Sequence, residues 1–116
     1  MERAEAGLSG GRPIRVYTTA VADLMHAGHV KLFQACRDFG DELVVGVHSD
    51  AVACSYKRLP LFREEERYLL VGSCRYVDRV LKDAPLAITK ELLDAHGIDI
   101  VVTATAGGEA TVDEYH

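Results

Sequence analysis

The sequence has no tryptophan, and its 116 residues hold only three prolines and three cysteines. Scarce proline without a glycine period excludes a collagen-like or proline-rich extended chain. The cysteines, Cys36, Cys54 and Cys74, are odd in number, widely spaced and free of any C-x-x-C pair. That pattern suits reduced thiols in a cytoplasmic protein better than a disulfide framework or a zinc site. No apolar run approaches the roughly 20 residues of a membrane helix. The opening residues mix Glu2, Arg3 and Glu5 with Gly and Ser and lack the apolar core of a secretory signal. Positive charge is also in deficit: 13 Lys and Arg face 18 Asp and Glu, a net charge of −5. A nucleic-acid partner would call for a basic balance. An anionic ligand must instead be met by cations gathered at one place.

What is present is enough apolar residue, 48%, for one globular core, and a length typical of one domain. Residues 1–12 read as a flexible tail and 13–106 as the folded domain. Ile14 to Thr19 alternate apolar and polar residues as a strand does. Val30, Leu32, Phe33, Cys36 and Phe39 recur at helical spacing until Gly40 stops them. Glu42 to His48 is a continuous apolar run of the kind buried on both faces. A short helical piece follows Ser49 and Asp50, then a basic loop at Lys57, Arg58, Leu59 and Pro60. Glu64, Glu65 and Glu66 open a helix, where carboxylates favour the positive end of the dipole. Tyr76 to Leu81 reads as strand, Thr89 caps a helix ending near Gly97, and Ile98 to Thr103 is another buried strand. Alternation of this kind predicts an α/β fold, a Rossmann-like parallel sheet with flanking helices and right-handed crossovers. Ligands of such sheets sit beyond the carboxyl ends of the strands. The loops at Thr18–His29, His48–Lys57 and from Thr103 onwards are thereby nominated.

The first of these loops carries Asp23, His26, Gly28 and His29. A helix begins there, and its unpaired N–H groups and dipole attract phosphate. Two imidazoles can donate to oxygens that gain charge in phosphoryl or nucleotidyl transfer. Gly28 has no side chain to keep a nucleotide from the backbone. Spacing alone leaves other readings open. Asp23, His26 and His29, three residues apart, suit a metal if a complete ligand set exists, and a histidine pair is also an ordinary surface feature. Asp23 by itself is explained as a turn or cap residue, and Lys57 as a solvated loop charge. Arg67, after three glutamates, suits an intrahelical ion pair.

The run His26-Ala27-Gly28-His29 after a strand, with Asp23 before it, resembles the H-x-G-H element of the cytidylyltransferase family. The likeness extends in order through Lys57-Arg58-Leu59-Pro60-Leu61-Phe62-Arg63-Glu64-Glu65-Glu66-Arg67-Tyr68 and through Cys74-Arg75-Tyr76-Val77-Asp78-Arg79-Val80. It continues in Ala84-Pro85, Ile88-Thr89, Glu91-Leu92-Leu93 and Ile98-Asp99, closest to the ethanolamine-phosphate branch. The resemblance implies transfer of CMP from CTP, with Mg²⁺, to a small phosphorylated alcohol, giving a CDP-alcohol and pyrophosphate. It implies His26, His29 and Lys57 as catalytic residues, with Lys57 also on the incoming phosphate. It implies nucleotide contacts from Val21, Asp23, His26, Gly28, His29 and Arg67. No metal held by the protein itself is expected. Arg75 and Asp78 resemble positions near the family's dimer interface, so a homodimer is expected.

Departures from the family pattern carry expectations as well. Ala20-Val21-Ala22 stand where the family has G-x-F before the aspartate. Leu86 stands where an aromatic residue often follows A-P, which weakens a wall for a quaternary ammonium and argues against phosphocholine. Thr103-Ala104-Thr105-Ala106 replace a H-G-[DN]-D-like turn. Residues 107–116 read as a truncated approach to the family's R-T-x-G-[IV]-S segment. Two rival expectations follow: a degenerate nucleotide-binding module without turnover, or an adenylyltransferase of the same superfamily.

Overall fold

The computed structural model describes residues 12–104 and 110–114. Five strands, β1 (Arg15–Ala20), β2 (Glu42–Val47), β3 (Arg79–Lys82), β4 (Ile100–Ala104) and β5 (Ala110–Glu114), form one sheet in the order β3-β2-β1-β4-β5. Pairing is parallel from β3 through β4, and β5 adds antiparallel to β4. The helices are α1 (Ala27–Arg37), α2 (Asp50–Tyr56), α3 (Glu64–Gly72) and α4 (Lys90–His96). The expected α/β architecture is what the chain adopts. The direction of winding reverses between β1 and β4, where ligands of such sheets lodge.

Strand alternation sorts the core into two layers. Val16 of β1, Leu43, Val45 and Val47 of β2 and Val102 of β4 pack with Phe33 and Cys36 of α1 and Tyr68 and Val71 of α3. Their neighbours one residue along, Tyr17, Val44 and Val101, face the other way and pack with Leu93 of α4 and with Ile98 just after it. Burial on both faces explains the unbroken apolar run of β2. Gly46 leaves room across the second face: a Cβ there would lie 2.1 Å from the Tyr17 hydroxyl. Burial pushes the Tyr17 hydroxyl pKa up to about 12.

Two expectations need adjustment. Residues 76–78 are turn rather than strand, and β3 begins at Arg79, because Asp78 spends its carboxylate on the Leu43 amide at the start of β2 (2.8 Å). The segment expected only as an approach to a further motif includes β5, an edge strand that pairs antiparallel with β4. Thr105, Ala106 and most of the proposed tail lie outside the described residues. The α4 cap was legible: Thr89 accepts from the Leu92 amide (3.2 Å), and Gly97 closes the helix at φ 64°, a left-handed conformation natural to glycine.

Candidate nucleotide-binding cleft

Between the carboxyl end of β1 and the loop after α2 lies a cleft of about 400 Å³. Thr19, Ala20, Val21, Ala22, Asp23, His29, Leu32, Lys57, Arg58 and Pro60 line it. Its size lies within the usual range for small-molecule sites. His29 and Lys57, distant in sequence, thus share one opening, together with Val21 and Asp23. His26 lines the adjoining groove with Met25, Val30 and Leu70, its ring centroid 4.4 Å from that of His29.

The histidine pair is locked by the start of α1. His26 is the N-cap, and its Nδ1 accepts from the Gly28 amide (2.9 Å). The His26 amide in turn donates to His29 Nδ1 (3.2 Å). With both Nδ1 atoms accepting, each neutral ring carries its proton on Nε2 and presents that N–H as a donor. Burial first, and the neighbouring His26 second, hold the His29 pKa below its ordinary value. Near neutrality His29 is therefore a neutral donor, and the fixed positive charge of the cleft comes from Lys57 and Arg58. This revises the expectation that Gly28 exposes its amide to phosphate: that N–H is already bonded to His26. Glycine also leaves room for the His26 ring, since a Cβ there would lie 2.7 Å from His26 Cε1 and the ring would have to shift.

Lys57 caps α2, where its amide donates to the Ala53 carbonyl (2.9 Å). Its exposed side chain places Nζ 5.6 Å from the Tyr56 ring centroid. It makes no ion pair among the described residues, so its charge is available to a ligand.

Arg67, expected at the nucleotide, is not among the residues that line the cleft. It is fully buried, and its guanidinium ties the cleft's framework together. Nη1 donates to the carbonyls of Val21 and His48 (both 2.7 Å), Nε to Phe62 (3.1 Å) and Nη2 to Asp50 Oδ1 (2.7 Å). The first loop, the end of β2, the start of α2 and the basic loop all meet on this one side chain. The expected pair with the preceding glutamates does not form. Glu64 instead accepts from the Asp50 amide (2.8 Å), and Glu66 pairs with Arg63. Asp50 and His48 were not singled out from sequence. An acidic residue opening a helix after a buried strand was the available signal.

Asp23 reaches neither histidine. Its carboxylate accepts from the Leu61 (2.9 Å) and Phe62 (3.0 Å) amides, with Arg58 4.0 Å away. Burial alone would raise its pKa, but those amides and the charges of Arg58 and Arg67 outweigh it and hold the carboxyl below its ordinary value. With both oxygens engaged, Asp23 does not join His26 and His29 in a metal site. No group of three His, Cys, Asp or Glu among the described residues is placed to hold a metal. Asp78, expected near a dimer interface, bonds within the chain to Leu43 and Arg37, while Arg75 lies over the Tyr76 ring.

Residues 17–114 match the family model described as cytidylyltransferase-like. An ethanolamine-phosphate cytidylyltransferase from Dictyostelium discoideum is 43% identical over 100 residues, covering 80% of this chain and 28% of that protein. Choline-phosphate cytidylyltransferase A from Homo sapiens is 44% identical over 103 residues, covering 87% and 28%. The chain thus spans about 28% of the length of these curated relatives, and identity does not separate the two branches. The crystal structure of the lipopolysaccharide core biosynthesis protein from Thermoplasma volcanium GSS1 superposes with a TM-score of 0.71 at 31% identity, over 78% of this chain and 73% of that one.

Proposed function

The chain belongs to the cytidylyltransferase-like family, and from that premise we propose that it transfers CMP from CTP to a small phosphorylated alcohol of the phosphoethanolamine type. The observation that carries this reading is the shared cleft: a neutral imidazole donor, His29, and an ammonium, Lys57, face one opening beyond the carboxyl ends of β1 and β2. An oxygen of the substrate phosphate attacks the α-phosphorus of CTP in line, the bond to the β-phosphate oxygen breaks, and pyrophosphate leaves. The attacking phosphate is already anionic near pH 7, so no general base is needed. His26 and His29 donate through Nε2 to the oxygens on which charge accumulates. Lys57 offsets repulsion between the incoming phosphate and the triphosphate.

Mg²⁺ enters this scheme with the nucleotide. It keeps several waters and binds phosphates rather than dedicated protein cages, and Asp23, the one carboxylate lining the cleft among the described residues, is committed to backbone amides. Leu86, 53% exposed after Pro85, offers no aromatic face to a quaternary ammonium, which favours phosphoethanolamine over phosphocholine. The reading includes a homodimer, with Leu70, Arg75 and Tyr76 as its candidate contact residues. The described cysteines are all free thiols, which suits the cytoplasm, and no helix of the described residues is long and apolar enough to cross a membrane.

Calorimetry with MgCTP, followed by a pyrophosphate-release assay with phosphoethanolamine, phosphocholine and glycerol 3-phosphate, tests the reading. It expects CTP binding that ATP does not displace, and pyrophosphate release fastest with phosphoethanolamine. Tight CTP binding without release from any substrate identifies a binding module, and displacement by ATP identifies an adenylyltransferase.

A further inference from the structure

The loop that carries Lys57 has little of its own to hold it. Residues 57–63 contain neither helix nor strand, and Leu59 and Leu61 are 62% and 66% exposed. Pro60 is its only buried residue. The loop's order comes from polar anchors on the opposite wall of the cleft. Asp23 Oδ2 accepts from the Leu61 amide and Oδ1 from the Phe62 amide, while the Phe62 carbonyl accepts from Arg67, which also holds Val21. Ala22 and Leu24, on either side of Asp23, sit at φ 58° and 51°. Left-handed backbone is unfavourable for an L-residue. Two such residues bracketing one aspartate mark a loop held in that shape by what the aspartate bonds to.

We propose that Asp23 is a positioning residue, a latch that bridges the two walls of the cleft and sets the distance between Lys57 and the histidine pair, rather than a ligand of nucleotide or metal. The chemistry of the acceptor explains the residue type. Two adjacent amides need two acceptor oxygens on a short stem, which aspartate supplies and asparagine does not, because its NH₂ would face a donor. The bonds are charge-assisted, which makes them stronger than neutral ones. The proposal rests on the reading of Lys57 given above, so its test has one arm that does not depend on it.

That arm is amide hydrogen exchange in the ligand-free protein. In Asp23→Ala, exchange at Leu61 and Phe62 is expected to speed up roughly 10–100-fold, with the β2 amides of Val44 and Val45 unchanged. Asp23→Asn gives a smaller acceleration and serves if the alanine variant does not fold. The second arm is a double-mutant cycle read as the dissociation constant for MgCTP and as kcat/KM for the phosphorylated alcohol. Asp23→Ala in a Lys57→Ala background is expected to add no loss to that of Lys57→Ala alone, because Asp23 acts through Lys57. Unchanged exchange at Leu61 and Phe62, or losses that multiply in the double variant, overturns the latch. Lys57→Ala without effect on either constant overturns the role given to Lys57, and exchange alone then decides the latch.

Discussion

The two edges of the sheet use the same residue type for opposite ends. At the amino-terminal edge, Asp41 accepts from the Ile14 amide (2.9 Å), Asp99 from Arg15 (2.9 Å) and Asp78 from Leu43 (2.8 Å). Each carboxylate satisfies an amide at or beside the first residue of a strand. Arg12 joins Asp99 there, and Arg15 pairs with Glu42 (2.8 Å). At the carboxyl-terminal edge, Asp23 accepts from amides too, but those amides belong to the loop that bears Lys57. Acid is consumed at one edge to start strands, and at the other to aim a cation. An acidic protein can thus present a locally cationic cleft, since field depends on where charges stand and not on their sum.

The sharpest way to break the contrast is Arg67→Met, which leaves Asp50 unpaired and three carbonyls unsatisfied. It is expected to cost about 3–5 kcal/mol in urea unfolding and to weaken MgCTP binding as well, since four segments of the cleft lose their common anchor. Stability within 1 kcal/mol of wild type would show that the carbonyls find other donors. His29→Ala comes next, with kcat lowered about 10²–10³-fold and the melting temperature little moved. An undiminished kcat would remove His29 from the chemistry. Asp99→Ala, at the other edge, is expected to cost about 1–3 kcal/mol of stability while leaving the dissociation constant for MgCTP within twofold of wild type in calorimetry. A large change in that constant would erase the distinction between the edges.

The smallest effect is in pH. His29 has a depressed pKa in the folded state, so the unfolded chain binds its proton first as pH falls. Its contribution to stability is complete above the ordinary value near 6.5 and is lost as pH drops through the lower folded value. His29→Gln is expected to flatten the fall in melting temperature between neutral pH and pH 5. Polyphosphate favours the protonated ring, so calorimetry near pH 6 in buffers of different ionisation enthalpy is expected to show proton uptake with MgCTP in wild type and less in that variant.

Much of the fold was legible because it follows from local patterns: the two-sided apolar run of β2, the Thr89 cap and Gly97 stop of α4, the carboxylates opening α3. Strand β5 was missed because an edge strand needs only weak alternation and takes its order from β4. The cleft was half legible. The spacing of His26 and His29 reads directly as one turn of helix, and the structure adds which nitrogen each uses. For Arg67 and Asp23 the sequence reports a charge without its burial or its partner. Their bonds, to Val21, His48 and Phe62 in one case and to Leu61 and Phe62 in the other, join segments far apart in the chain. Local pattern contains nothing about such contacts.

In the proposed reaction the Nε2–H groups of His26 and His29 face the polyphosphate. Nitrogen-15 NMR of the imidazole rings, recorded with and without MgCTP, tests it most directly. Both rings are expected as Nε2–H tautomers in the free protein, with a clear shift of both Nε2 resonances as MgCTP saturates. An Nδ1–H tautomer, or Nε2 resonances unmoved at saturation, would contradict it.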